Sequence, residues 1–432
     1  MHNQFLEHLS ASDILDPFQT GYRHHSSTET ALLKLTEDIR TARDNQLITI
    51  LLLFDFSKAF DTISPLRLLR RMRLMGFSGA VLRWTRAYLS GREQTVIADR
   101  TDHSSWLSTS LGVPQGSVLG PLLFCLYIND LGLSLTSMGV SHIFYADDLQ
   151  VYLSVPKDDL KAGAERVAAA ARAVADWATA ASLKLNVHKT SAMLFATCGF
   201  LSNIRSSGFN SIDLGDGVVV PLSDTVKSLG VVLDSGLTWR PHIEKVGKKV
   251  NQVLYSLRFF RRFTTESLRA KLACALVFPH LNYCSVVYLD ASQELKDRLQ
   301  RAQNCCVRYV TGARWDEHIT PHRRRLGWIK TDKWREYFMY LIMFKILRLK
   351  QPQYLTGLFK FHTSERPVRG IPKELKPPDT NLRITDKSFS KQGAKLWNDL
   401  PLIVRHAPSL KVFKTRALGH LSDVLSESSH PS

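Results

Sequence analysis

Across the first 240 residues, short apolar runs alternate with amphipathic stretches, and each change of period marks a change of element. Residues 28–43, TETALLKLTEDIRTAR, set Ala31, Leu32, Leu35 and Ile39 on one helical face, with Thr28 as N-cap. LITILLLFDFS follows as an unbroken Ile- and Leu-rich run, the pattern of a strand covered on both faces, and its apolar part ends at Asp55. After Ser64 and Pro65, LRLLRRMRLMG predicts a basic helix closed by Gly76, and AVLRWTRAYLSG a second helix. REQTVIAD and SSWLSTS predict short strands that feed a Pro/Gly-rich loop, LGVPQGSVLGP, and LLFCLYINDL an apolar helix.

SHIFYA and LQVYLS are aromatic, alternating and only two residues apart, which is hairpin spacing and sets Asp147 and Asp148 in the turn. An Ala-rich helix is expected over 158–182, a turn and strand in LKLNVHKTSAMLFA, a hairpin turning at Gly215-Asp216-Gly217, and one more strand in KSLGVVLD. Beyond Trp239 the pattern becomes helical to about 350, and 351–432 is broken by Pro, Gly and polar residues. The resulting expectation is an α+β domain over 1–240, a basic helical domain over 241–350, and a C-terminal extension over 351–432.

Charge sharpens this division. The chain has 432 residues and a net charge of +18, but residues 1–240 hold 22 Lys/Arg against 23 Asp/Glu while residues 241–432 hold 35 against 16. A surplus gathered in one half suits a polyanion such as nucleic acid, the alternative being a basic surface that serves solubility. Six cysteines, at 125, 198, 274, 284, 305 and 306, form no even framework and point to a reducing, intracellular compartment. Cys305, Cys306, His318 and His322 lack the usual spacing of a zinc site. The N-terminus has no signal-peptide pattern, and the apolar runs at 47–54 and 337–344 are too short to span a bilayer, so no membrane partner is expected.

The chemistry is carried by carboxylates. Asp147 and Asp148 in a tight turn repel each other unless a cation joins them; alone, the pair also reads as an exposed turn in which Asp caps its own backbone. Asp55, at the end of a buried strand, could meet them across a sheet. Three oxygen donors without nearby His or Cys select a hard cation such as Mg²⁺, and carboxylate clusters that hold two such ions serve phosphoryl transfer.

Five blocks in order, LLLFDFSKAFDTIS (51–64), LGVPQGSVLGPLLFCLYIND (111–130), FYADDLQVY (144–152), LKLNVHKT (183–190) and KSLGVVLD (227–234), resemble the reverse transcriptases of non-LTR (LINE-type) retrotransposons. DPFQTGYRHHSSTETAL (16–32) is similar to the block that precedes them there, and LTWRPHI, VFPHLNY, RAQNCCVRYVTG and AKLWNDLP resemble the tail of Jockey-like and chicken-repeat-like elements. The resemblance implies a right-hand polymerase palm with partial fingers, followed by an all-α thumb and a C-terminal region. It implies an RNA-directed DNA polymerase that adds deoxynucleotides to a primer 3′-hydroxyl with two Mg²⁺ ions, or Mn²⁺ in their place.

By the same resemblance Asp55, Asp147 and Asp148 are metal ligands and Lys189 assists the departing pyrophosphate. Phe56, Phe60, Gln115 and Gly116 would bind the nucleotide, with Phe60 as a steric gate against a ribose 2′-hydroxyl and Asp61 in a local structural role. Gly112 and Gly116 would allow close backbone approach, and Leu229 and Gly230 form the primer grip. The implied partners are an RNA template, a DNA primer and dNTP in a nuclear or cytoplasmic ribonucleoprotein; no oligomeric state is implied. The family's finger blocks upstream of residue 16 and its endonuclease are missing from this sequence, so the alternative expectation is a silent nucleic-acid-binding remnant.

Overall fold

The apolar run at 48–54 becomes the inner strand of a four-stranded sheet, and the elements that flank it follow in the order the periodicity implies. A computed structural model describes residues 1–12, 14–99, 102–186, 189–215, 217–362, 374–381 and 385–427. Its contacts group the chain into two units, Met1–Ser27 with Leu47–Ser223, and Thr28–Gln46 with Asp224–Ser432. This structural division falls at 223/224 rather than near 240; the helix over 28–44 joins the C-terminal half, and 351–432 shares its unit with the helices before it.

The first described elements are α1 (His2–Ser12), α2 (Thr28–Asp44, in the second unit), β1 (Ile48–Phe54), β2 (Phe56–Ser57), α3 (Pro65–Leu74) and α4 (Gly79–Leu89). Four short strands follow, β3 (Arg92–Gln94), β4 (Ile97–Asp99), β5 (Asp102–His103) and β6 (Leu107–Thr109), paired β3 with β6 and β4 with β5. Then come α5 (Gly120–Ser137), β7 (Ser141–Tyr145), β8 (Asp148–Val155), α6 (Leu160–Ala180), β9 (Lys184–Leu185), β10 (Ser191–Phe195), α7 (Cys198–Ser206), β11 (Ser211–Gly215) and β12 (Val218–Pro221).

The main sheet runs β10-β1-β8-β7, antiparallel throughout. Every β1 residue except Leu53 is buried, as its unbroken apolar pattern requires. α5 packs on β7 and α6 on β8 and β1. α3 packs on α5, and α4 on α3. Ser64 caps α3 through its side chain and Pro65 opens the helix, as the sequence implies. β11 and β12 form the hairpin expected around Gly215 and Gly217, whose middle residue, Asp216, lies outside the described residues.

Two local readings are corrected. KSLGVVLD is not one strand but a tight hairpin, β13 (Thr225–Ser228) and β14 (Val231–Asp234), because Leu229 and Gly230 both take positive φ, 45° and 85°. In the FYADD hairpin Tyr145 pairs with Asp148, so the two turn residues are Ala146 and Asp147, and Asp148 opens β8.

The second unit is built on helices, notably α8 (Arg240–Phe259), α9 (Glu266–Leu276), α10 (Phe278–Asn282), α11 (Gln293–Thr311), α12 (Ile319–Arg325) and α13 (Thr331–Phe344). α11 packs against α8, α9 and α13. Trp239, fully buried, donates its indole N–H to Asp290 at 2.6 Å, and Arg40 of α2 reaches the other Asp290 oxygen at 2.8 Å. The Glu37 carboxylate accepts the backbone N–H groups of Phe389 and Ser390, which ties α2 to the C-terminal residues. Among the described residues no helix is long and apolar enough to cross a membrane.

Candidate active site

β1 delivers Asp55 to the end of the sheet, and the β1–β8 register sets what it meets. Phe54 pairs with Leu149, so one step further Asp55 comes level with the start of β8 and the turn before it. That turn is held from outside. Phe144 exchanges backbone hydrogen bonds with Phe18 and Thr20, at 3.0 and 2.8 Å, and Thr20 adds its hydroxyl at 2.7 Å. Gly21 then lies so close to the turn that a Cβ there would stand 2.3 Å from the Ala146 nitrogen. Only glycine permits that approach. Behind this strap Asp16 binds His142 at 2.7 Å in the core, and the Asn129 side chain accepts the Asp16 N–H at 2.7 Å.

Asp147 is thereby fixed, half-buried, opposite Asp55. Burial raises its carboxyl above the usual carboxylate range, a backbone N–H pulls it back, and the nearby Asp55 charge adds to the rise. Lys189 reaches the same point by a different route. β2 pairs with β9 through Phe56–Leu185 and Ser57–Lys184, and the Asp55 carbonyl accepts the Asn186 N–H at 2.8 Å. The segment thus anchored sets the Lys189 ammonium 3.0 Å from Asp55 Oδ2. His188 of the same block lies outside the described residues.

The loop that carries Gln115 folds against the segment after Asp55. Val113 donates to the Phe60 carbonyl at 2.9 Å and Gly112 to that of Ile63 at 2.7 Å. Gly112, at φ +86°, would bring a Cβ within 3.0 Å of the Asp61 backbone. Gly116 is different: open space surrounds it, and its positive φ of 79° is what favours glycine there. Gln115 donates to Asp61 at 2.8 Å, so Asp61 orients the glutamine. Phe60 stacks on Phe124 with centroids 4.7 Å apart. Phe56 is buried beneath.

Sequence reasoning gave Tyr22 no role. Its ring meets Phe60 edge-on at 6.2 Å, and burial first, then the Asp147 charge, raises its hydroxyl above the ordinary range. The signal lay in the GYR of the 16–32 block, but its meaning depends on a turn some 120 residues further along the chain. Arg23 closes its own loop through the Asp16 carbonyl at 2.8 Å.

The structure therefore gathers Asp55, Asp147 and Lys189, with Phe56, Phe60, Gln115 and Gly116 on the adjoining segments. Asp148 is exposed at the head of β8, and among the described residues no group of three or more His, Cys, Asp or Glu is assembled as a metal site. Two facing hard oxygen donors still fit a cation such as Mg²⁺, which is commonly held by one or two carboxylates with waters and substrate phosphates completing its shell. Leu229 and Gly230 lie in the second unit, where the Tyr283 hydroxyl donates to the Leu229 carbonyl at 2.8 Å.

A family described as reverse transcriptase (RNA-dependent DNA polymerase) matches residues 1–233. The chain is 27% identical over 326 residues to a probable RNA-directed DNA polymerase from transposon X-element of Drosophila melanogaster, covering 73% of this chain and 34% of that one. It is 28% identical over 321 residues to the corresponding protein of transposon BS from the same fly, covering 72% and 34%. The chain thus spans about a third of the length of the curated relatives it matches. Among solved structures, apo telomerase from Candida tropicalis aligns with a TM-score of 0.39 at 11% identity, over 82% of this chain and 60% of that one.

Proposed function

We infer the function from the premise that this chain belongs to the reverse transcriptase (RNA-dependent DNA polymerase) family, whose pattern spans residues 1–233. We propose that it is the palm and thumb of an RNA-directed DNA polymerase of a non-LTR retrotransposon, working within an intracellular ribonucleoprotein. The observation that carries the reading is the meeting of Asp55 and Asp147 at one end of the sheet with Lys189 bound to Asp55. A carboxylate whose proton affinity is raised by burial and by a neighbouring carboxylate suits a cation.

Members of the family use divalent ions. Here Asp55 and Asp147 would hold Mg²⁺, or Mn²⁺, with Asp148 in an assisting role; such ions neutralise the attacking and leaving oxygens of an in-line displacement. The residues of the chain then orient and select. Gln115, pinned by Asp61, would lie against an incoming deoxynucleotide, while Phe60, backed by Phe124 and Tyr22, would stand beneath the sugar and reject a 2′-hydroxyl. Lys189 would hold its proton near the departing pyrophosphate. Leu229 and Gly230, steadied by Tyr283, would grip the primer end, and the exposed Tyr255, Phe259, Phe260 and Phe263 of α8 and the turn after it suit contact with the template-primer.

Primer extension on poly(rA) with oligo(dT) tests this reading. The wild-type chain should incorporate dTTP and the Asp147→Ala variant should lose at least about 10³-fold of that rate, since a ligand of the ion that would neutralise the reacting phosphate is removed. RNA binding with no incorporation in either protein would favour a silent nucleic-acid-binding remnant.

A further inference from the structure

Residues 65–89, the two helices α3 and α4, carry six arginines and no acidic residue. Arg71 turns inward, where it pairs with Asp130 at 2.9 Å and lies over the Tyr127 ring. Arg70 and Arg73 on α3, and Arg83 and Arg86 on α4, are spaced i,i+3, so each pair shares one face of its helix. The two faces line one groove of about 340 Å³, floored by Leu66, Leu69 and Leu82.

Among the described residues none of these four guanidinium groups meets a carboxylate or any hydrogen-bond acceptor. The contrast with the larger cavity of the second unit is informative. That cavity is also lined by arginines, but each of the three has a partner: Arg40 pairs with Asp290, Arg240 with Glu294, and Arg43 donates to the Gly236 carbonyl. Four unbalanced arginines around one groove repel each other, and an anion is what would relieve them.

We propose that the α3–α4 groove is a second nucleic-acid site, which takes the phosphate backbone of single-stranded RNA outside the polymerising centre. Guanidinium forks match phosphate oxygens two at a time, and a groove that offers only cations and leucines reads charge without sequence, as backbone contacts do. Its size is at the small end of ligand-sized clefts, enough for a few phosphates of one strand. α4 packs on α3 and α3 on α5, and neither α3 nor α4 supplies a residue to the Asp55, Asp147 and Lys189 cluster. The choice of RNA over an acidic peptide rests on the polymerase reading; the anion site does not.

The test is the salt dependence of binding of a fluorescent uridine 20-mer, measured without Mg²⁺ on the full chain with Asp147→Ala as background. Replacing Arg70, Arg73, Arg83 and Arg86 by glutamine should weaken binding more than about 10-fold at low salt. It should also reduce the slope of log affinity against log salt by about 2 to 3, four contacts at about 0.7 each. The four-lysine version should keep most of the slope. An unchanged slope in the glutamine variant overturns the proposal, as does displacement of the RNA by polyglutamate at equal charge concentration, which would assign the groove to an acidic polypeptide. Protection of the same four arginines from phenylglyoxal by the 20-mer, read on the wild-type chain, decides the matter if the glutamine variant does not fold. With incorporation read separately on chains that keep Asp147, extension activity that persists while this site fails would overturn the groove alone, and RNA held here without incorporation would overturn the polymerase reading alone.

Discussion

Asp55 and Lys189 in the first unit make an ion pair at 3.0 Å whose lysine is 66% exposed, whereas Arg40 and Asp290 in the second unit make one at 2.8 Å that is less than a tenth exposed on either side. The distances are nearly equal and the consequences are not. An exposed pair contributes about 0–1 kcal/mol and exchanges readily for another partner, as the role proposed for Lys189 at an arriving phosphate requires. A buried pair is a structural commitment, because removing one partner strands the other charge out of water. Other charged groups of the second unit are also held by its own backbone: Glu37 by N–H groups, Arg269 by the carbonyls of Thr264 and Val310, and Arg308 by those of Arg314, Trp315 and Glu317. Part of the cation surplus after residue 240 therefore serves the fold, and a net charge of that half overstates what a polyanion would meet.

The contrast can be broken most severely at Arg40. Arg40→Met should destabilise the protein by about 3–5 kcal/mol, because Asp290 is left with only the Trp239 indole, and thermal unfolding should register this while RNA affinity at permissive temperature is unchanged. Lys189→Ala should do the reverse. Its melting temperature should stay within error, and single-turnover incorporation should fall on the order of 10²-fold. A large loss of stability in Lys189→Ala would show that the two pairs do not differ as claimed.

Glu29 sharpens the comparison through pH. Burial raises its carboxyl to about 7, against the opposing pull of the Val286 N–H and of Lys345, so the folded protein holds the proton more tightly than the unfolded chain. Its contribution is full below the ordinary carboxylate pKa, declines as pH rises towards 7, and is lost above. Glu29→Gln, which keeps the neutral form, should gain on the wild type across that window by up to about 3 kcal/mol, read from melting curves at pH 5 to 8. Equal pH dependence in both proteins would mean that Glu29 is not held neutral. The smallest effect is expected at Tyr283, where Phe should cost about 1 kcal/mol of stability through the lost bond to Leu229 and should shorten extension products before it slows the first addition.

These contrasts mark what could be read from the chain before folding. β1 and the hairpin around Asp147 were legible because an unbroken apolar run and a two-residue gap each have one good structural solution. The turn itself was misplaced by one residue. Its left-handed residue is Ala146, at φ 55°, which no turn propensity marks and which the distant Gly21 strap accompanies. Tyr22 was missed for the same reason. The strap reaches the turn through a parallel bridge between Gln19 and Phe144, a contact between segments with no shared periodicity. Charge in the second half was counted correctly, but burial decides whether an arginine faces solvent, and composition is silent on burial. The helix over 28–44 was foreseen as an element; its membership of the C-terminal unit follows from Arg40, Glu37 and Asp44, each of which finds a partner there.

The claim beneath all of this is that Asp55 and Asp147 hold a divalent cation between them, and iron-directed cleavage tests it without any need for activity. With Fe²⁺ in place of Mg²⁺ and ascorbate present, the polypeptide should be cut near residues 54–57 and 145–149, excess Mg²⁺ should suppress both cuts, and Asp147→Ala should abolish them together. Cuts at only one of the two segments, or cuts that persist in the variant, would contradict it.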